Sequence, residues 1–351
     1  MCRRSFSSTT HLLLTAVGSK VCSRRSIKGT RSTMQKILDV IRRGRTFLVV
    51  AHARPDGDSI GSMLALYHML KIAGKEPLVY SQDAIPENYR FLPGSDEVVF
   101  DLPVGRSYDA VFLLDCSELD RVGDHWEEIS KAGPVVNIDH HLSNDRFTEI
   151  YLIDAHASST AELLYRLAGA LEWDLSKDAA DCLYTGILTD TGGFCYGNTG
   201  RDSLFAAADL VARGADPQWV SENVYESSPI AKIRLLAKAM AALEFHLDGK
   251  VGLMVVTLAD FATCGALHEH TEGFVDLPRS IRGVQVSILF TEVAERSYKV
   301  SLRSKGRVNI ERVARSFGGG GHLNAAACRV QGELVAVKSR MLGEIEAVLS
   351  E

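Results

Sequence analysis

Short unbroken apolar runs punctuate the first half of the chain: residues 46–51 (TFLVVA), 77–80, 109–114 (DAVFLL) and 134–138. Runs of this length, apolar at nearly every position rather than at alternate ones, are the pattern of parallel strands covered on both faces. Between the first two, Ile60, Met63, Leu64, Tyr67 and Leu70 recur at helical spacing, and Gly74 is placed to end that helix. An amphipathic helix over 35–43 precedes the first run, and residues 158–167 and 178–188 read as helices after the last. Alternation of this kind predicts an α/β domain with a doubly wound, mainly parallel sheet. Helical pattern then continues from 201 to about 244 with breaks at Pro217 and Pro229, and residues 246–250 read as a hairpin-like turn. Beyond it come strands over 251–258, 284–291 and 298–303, a helix over 309–317, the glycines Gly318, Gly319, Gly320 and Gly321, and a last strand and helix. The expected division is a first domain over 34–225, a helical linker over 226–248 and a smaller α/β domain over 249–351.

The chemically demanding residues fall where strands end. His52, Asp56 and Asp58 follow the first run, Asp115 follows the third, and Asp139, His140 and His141 follow the fourth. Asp190 closes the second helix beside Gly192 and Gly193. In an open α/β sheet the carboxyl ends of the strands form the ligand crevice, so groups more than 80 residues apart in sequence are expected to converge. Two carboxylates as close as Asp56 and Asp58 are hard to hold in one crevice without cations. Imidazole mixed with carboxylate suits a hard-to-intermediate divalent ion, Mn²⁺ best, with Mg²⁺ or Fe²⁺ as alternatives. A local turn is the competing explanation for any one of these stretches, and only their combination argues for a metal.

Composition narrows the partners. Apolar residues make up 46% and charged residues 24% of the 351, ordinary for a globular chain, and no apolar run approaches the ~20 residues a membrane span needs. Residues 1–33 carry seven Lys or Arg and no Asp or Glu, which leaves 32 basic against 44 acidic residues, a net of −12, on the rest. So acidic a body should not coat long nucleic acid, whose binding is driven by cationic charge. The basic leader reads either as an extension upstream of a start at Met34 or as a mitochondrial transit peptide; the first reading gives a cytoplasmic protein. Seven scattered cysteines without a Cys-x-x-Cys pair indicate neither a zinc knuckle nor a disulfide framework.

These motifs, in this order, resemble the DHH phosphoesterase superfamily. His52 to Asp58 (HARPDGD) looks like its first motif, Leu114-Asp115 the second, Asp139-His140-His141 the third, and Gly186-Ile187-Leu188-Thr189-Asp190-Thr191-Gly192 the fourth. The resemblance implies two divalent ions, one held by His52, Asp56 and Asp115 and the other by Asp58, Asp115, His140 and Asp190. It also places catalytic His141 toward the phosphate, with Asp139 orienting an imidazole from behind. Gly318 to His322, followed by Leu323-Asn324-Ala325-Ala326-Ala327, resembles the glycine-rich motif of the family's C-terminal domain, with Cys328 or Ala327 standing where a glycine is usual. The glycine N–H groups, His322 and Arg303 of the Arg303-Ser304-Lys305 run are then expected to bind substrate, the glycine run lying next to a basic segment over 279–315 that contains Arg303.

Among subfamilies the compact chain looks like the NrnA type, bifunctional oligoribonucleases and 3′-phosphoadenosine 5′-phosphate (pAp) phosphatases. The expected partners are short RNA oligonucleotides and small nucleotides, with no long nucleic acid and no membrane, and a homodimer left open. Two alternatives stand beside this one: a phosphodiesterase of cyclic or linear dinucleotides, and a non-catalytic nucleotide-binding module.

Overall fold

Strand β1 (Thr46–Ala51) is apolar and buried from Phe47 to Ala51 because both of its faces are covered. The computed structural model describes residues 28–103 and 105–350, the side chains of residues 28–32 and 322 excepted. The chain divides into two compact units between Val220 and Ser221. In the first, β1 is followed by β2 (Glu76–Tyr80), β3 (Ala110–Leu114), β4 (Val135–Asp139) and β5 (Ile150–Ile153), in the spatial order β2-β1-β3-β4-β5 with every pairing parallel. Strand order therefore reverses between β1 and β3, where an open α/β sheet gathers its ligands.

The helices of this unit are α1 (Lys28–Arg43), α2 (Gly57–Ile72), the short α3 (Leu119–Val122) and α4 (Trp126–Lys131), then α5 (Thr160–Leu171), α6 (Lys177–Asp190), α7 (Arg201–Ala212) and α8 (Pro217–Tyr225), the last crossing the boundary. Leu48, Val50, Val111 and Leu113 face one side of the sheet, buried with Val122 and Ile129 of α3 and α4. On the other side α2 is buried along most of its length. α2 lies against α6 so closely that a Cβ on Gly61 would stand 2.5 Å from the Cys182 carbonyl oxygen. No helix among the described residues is long and apolar enough to cross a membrane.

The second unit contains α9 (Ile230–Ala241), β6 (Glu244–His246), β7 (Val251–Val256), α10 (Leu258–Cys264), α11 (Asp276–Arg279), β8 (Val286–Ala294), β9 (Ser297–Ser304), α12 (Ile310–Ser316), β10 (Gly320–His322), β11 (Ala325–Gln331) and α13 (Leu334–Leu349). Its six strands lie in the order β10-β11-β9-β8-β7-β6, antiparallel except for β7 with β8. Ile310, Val313, Val337, Met341 and Ile345 of α12 and α13 cover one face, and Leu235, Ala239 and Phe261 of α9 and α10 the other.

Three expectations need correction. Residues 226–248 are not a linker: α9 buries Leu235 and Ala239 against the second sheet, and β6 extends that sheet by pairing with β7. β5 was not expected, being only four residues long, and it is recognisable mainly by the register it adopts beside β4. The glycine run is not an open cradle. Gly318 and Gly319 donate their N–H groups to carbonyls of Arg315 and Ala314 in α12, and Gly320 to His322 form an edge strand on β11. Helix α1 begins at Lys28, before Met34, and the remainder of the basic leader lies outside the described residues.

Candidate metal centre

Each metal-competent side chain is delivered by a backbone terminus. His52 follows β1, its backbone N–H donating to Ser59 Oγ and its Nδ1 donating to the Ala53 carbonyl at 2.9 Å. That bond leaves the Nε2 lone pair directed into the cluster, the arrangement a ligating histidine requires. Asp56 caps α2, accepting from the Ser59 N–H at 3.1 Å. One turn of sequence carries both cap and candidate ligand, so neither function excludes the other.

Asp115 ends β3 in the left-handed region, φ 61°, and is 2% exposed. A non-glycine residue there is uncommon, and Asp is among the few that tolerate it. Its conformation is secured by its own N–H to the Ile138 carbonyl and by Thr160 Oγ1, which donates to Oδ1 at 3.0 Å. Asp58 lies buried opposite the N-terminus of α5, whose first two N–H groups, from Thr160 and Ala161, donate to its two oxygens at 2.6 and 2.9 Å. A helix N-terminus is a natural seat for a carboxylate.

The side chains meet around Asp115. His52 Nε2 is 3.4 Å from Asp115 Oδ2 and 3.6 Å from Asp56 Oδ1. His140 Nε2 is 3.6 Å from Asp115 Oδ1, 3.3 Å from Asp190 Oδ2 and 4.0 Å from Asp58 Oδ2. Three overlapping sets of ligand atoms result, each within a 4.8 Å span: His52, Asp56 and Asp115; Asp58, His140 and Asp190; and Asp115, His140 and His141. The six residues expected as metal ligands are thus brought together, and His141 comes within reach of Asp115 as well, Nδ1 to Oδ1 3.4 Å. Asp139, fully buried, accepts from His141 Nδ1 at 2.7 Å and from Asn144 Nδ2 at 2.6 Å, so it fixes the imidazole of His141.

The electrostatics of the set call for cations. Burial, with the neighbouring charge of Asp115, pushes Asp58 up to about 7. Burial with Asp58 and Asp115 raises Asp190 well above the ordinary carboxylate range. For His140 burial opposes the charged form, but Asp115 and Asp58 outweigh it and raise the imidazole. Asp190 Oδ2 is itself buried and makes no hydrogen bond among the described residues. An uncompensated buried carboxylate oxygen is costly, and a divalent cation in this mixed nitrogen and oxygen set would relieve it. The residues fit such a group.

Glycine makes this approach possible. A Cβ on Gly186 of α6 would stand 2.6 Å from Ala161 Cβ and 2.8 Å from Asp58 Oδ1. Gly186→Ala should therefore displace Asp58 or the start of α5, destabilising the fold by about 1–3 kcal/mol and lowering turnover further than that loss of stability accounts for. Thermal melting and steady-state kinetics on the same preparation check both.

Sequence reasoning missed Thr160, Asn144 and Arg121. Thr160 and the α5 N–H groups were signalled only by the run of Ser158, Ser159 and Thr160 at a helix start, which gives the cap but not the carboxylate it faces. Asn144, bonded to Asp139 and to the Cys116 carbonyl, carried no signal. Nor did Arg121, which donates from Nη2 to His52 Nε2 at 2.7 Å. In the second unit Arg303 of β9 is partly buried, its Nε 3.8 Å from Asp276 Oδ1, and it stands in register with Ala325, which pairs in turn with His322. The side chain of His322 lies outside the described residues.

A family profile described as the DHH family, N-terminal domain, matches residues 46–187, and one described as the DHHA1 domain matches residues 263–351. Over 287 residues the chain is 35% identical to the bifunctional oligoribonuclease and PAP phosphatase NrnA of Thermus thermophilus, covering 81% of this chain and 84% of that protein. It is 27% identical over 312 residues to the protein of the same description from Bacillus subtilis, covering 87% and 95%. Among solved structures, an exopolyphosphatase-related protein from Bacteroides fragilis aligns with a TM-score of 0.86 at 30% identity, covering 92% of this chain and 98% of that one.

Proposed function

This chain belongs to the DHH family, and from that premise we propose that it is a metal-dependent phosphoesterase hydrolysing short oligoribonucleotides and pAp to nucleoside monophosphates. The observation that carries the reading is Asp115, whose two oxygens lie within 3.4 Å of His52 Nε2 and 3.6 Å of His140 Nε2, so that one carboxylate serves both ligand sets. His52, Asp56 and Asp115 would hold one ion, and Asp58, Asp115, His140 and Asp190 the other, Mn²⁺ being the best match to these donors. Bound there, divalent ions supply positive charge that draws electrons from phosphorus and makes water a stronger nucleophile at neutral pH.

The chain's own residues do the rest. Asp139 commits His141 Nδ1, so His141 acts through Nε2, donating toward a phosphoryl oxygen as charge develops on it. Burial opposes the charged form of His141, but the bond to Asp139 and the charge of Asp115 raise it, which keeps a proton available for that donation. Thr160 and the α5 N-terminus hold Asp115 and Asp58 against reorientation. In the second unit we assign substrate phosphate to Arg303 and His322 with the neighbouring Gly320 and Gly321 of the edge strand, while the N–H groups of Gly318 and Gly319 are committed to α12, and Gly319 and Gly321 let the edge lie close on β11. A Cβ on Gly319 would stand 2.1 Å from the Ala327 carbonyl oxygen.

Side-by-side turnover of pAp, a linear diribonucleotide and a cyclic dinucleotide with Mn²⁺ tests the assignment. Phosphate release from pAp and mononucleotides from the linear dimer are expected to exceed cleavage of the cyclic substrate. A faster reaction on the cyclic substrate would transfer the protein to the cyclic-dinucleotide phosphodiesterases. Tight Mn²⁺ and nucleotide binding without any turnover would make it a binding module.

A further inference from the structure

Arg121 is a cation at the candidate metal centre that no ligand assignment uses. It sits on α3, and its carbonyl accepts from the Ala53 N–H at 2.7 Å, which ties α3 to the loop carrying His52 and Asp56. Its Nη2 donates to His52 Nε2 at 2.7 Å, while its Nε is buried and has no hydrogen-bond partner among the described residues. Two facts of chemistry constrain this contact. A guanidinium only donates, so Nε2 must offer its lone pair, and an imidazole nitrogen has one in-plane lone pair to offer. That same lone pair is the one a divalent ion on His52 would need. Arg121 and the ion therefore exclude each other at this nitrogen. A guanidinium released from His52 presents Nη2 beside the unsatisfied Nε, the two-pronged edge that matches a phosphate.

We propose that Arg121 holds the first ion's place on His52, competes with the ion for Nε2, and on release binds a phosphate oxygen of the substrate. Loading of the centre and capture of the substrate are thereby coupled through one side chain. The inference rests on the phosphoesterase reading above. Arg121 acts on the metal through His52, and in that respect it is a positioning residue.

Calorimetric titration of the full chain with Mn²⁺, without substrate, tests the competition directly. Arg121→Met should bind Mn²⁺ at least about fivefold more tightly than wild type, the lower end of ordinary coupling between two sites. Arg121→Lys, which keeps the charge but loses the fork, should fall between the two. At saturating Mn²⁺, Arg121→Met should raise KM for the turned-over substrate about tenfold or more while kcat changes little. A merely structural arginine would lower the melting temperature and both kinetic constants without tightening Mn²⁺. Mn²⁺ affinity that is unchanged or weaker in both variants, with wild-type melting, overturns the proposal. Wild-type protein that takes up no Mn²⁺ overturns the metal-centre reading as well, whereas normal wild-type uptake with unchanged variants refutes only the role of Arg121.

Discussion

Asp115→Asn is expected to lower kcat by on the order of 10³-fold or more, while the metal-free variant melts no lower than wild type. The two expectations come from one geometry. Asp115 is the residue common to the sets built on His52 and on His140, so loss of its charge weakens both at once. The substitution is otherwise gentle. Asparagine tolerates the left-handed backbone that Asp115 adopts, and its side-chain oxygen still accepts from Thr160 Oγ1. It also removes one of four crowded carboxylates, relieving the repulsion that raises Asp58 and Asp190. Alanine would be a poorer probe, since it loses both the acceptor and the backbone tolerance. Steady-state kinetics with Mn²⁺ and a melt in chelator suffice. Turnover within a few fold of wild type would mean that Asp115 does not join the two sets functionally.

Stripped of divalent ions, the protein should become less stable as pH rises from about 5 to 8, and Mn²⁺ should remove most of that loss. The sign follows from proton counts. Asp58, Asp190, His140 and His141 all have folded-state values raised above their ordinary ones, so the folded chain binds more protons than the unfolded chain in this range. Stability contributed by such groups is present at low pH and is lost as pH climbs through their raised values. For Asp58 the loss runs from its ordinary carboxylate range to about 7, and because it is 2% exposed, solvent screens little of it. Asp56 and Asp139 are shifted the other way, and their effect falls at lower pH, outside this window. A loss on the order of a few kcal/mol corresponds to roughly 5–10 °C in Tm for a domain of this size. Mn²⁺ at about 100 times its Kd would restore about 2.7 kcal/mol. Differential scanning fluorimetry across pH 5–8, with chelator and with Mn²⁺, gives the answer. A metal-free profile that is flat or rising would contradict the account of crowded carboxylates.

The motif residues were legible because the chemistry constrains residue type and order even when partners are far apart. Asp139-His140-His141 at the end of an apolar run is too expensive to bury for packing alone, and the same holds for His52 and Asp58. Arg121 shows the limit. In Glu118-Leu119-Asp120-Arg121 it reads as one charge of a solvated turn, and nothing local distinguishes it from Arg43 or Arg90. Its contact with His52 is made across 69 residues and depends on where α3 leaves β3. Residues 226–248 failed for a related reason: helical periodicity describes α9, but only the sheet beneath Leu235 and Ala239 makes it part of the second unit. The conformation of the glycine run was not legible because glycine permits both an open loop and a closely packed edge strand, and the choice was made by Ala325, Ala326 and Ala327 on the neighbouring strand.

Sequence by itself therefore determined the parallel α/β character of the first unit, through apolar runs buried on both faces, and the identity of the groups at its strand ends. Tertiary structure alone decided that Asp115 stands between His52 and His140, that the α5 N-terminus faces Asp58, and that Arg121 reaches His52. The reason is range: strand and helix patterning is written in neighbours a few residues apart, whereas those contacts depend on strand order and helix packing, which bring together positions separated by 25 to 103 residues.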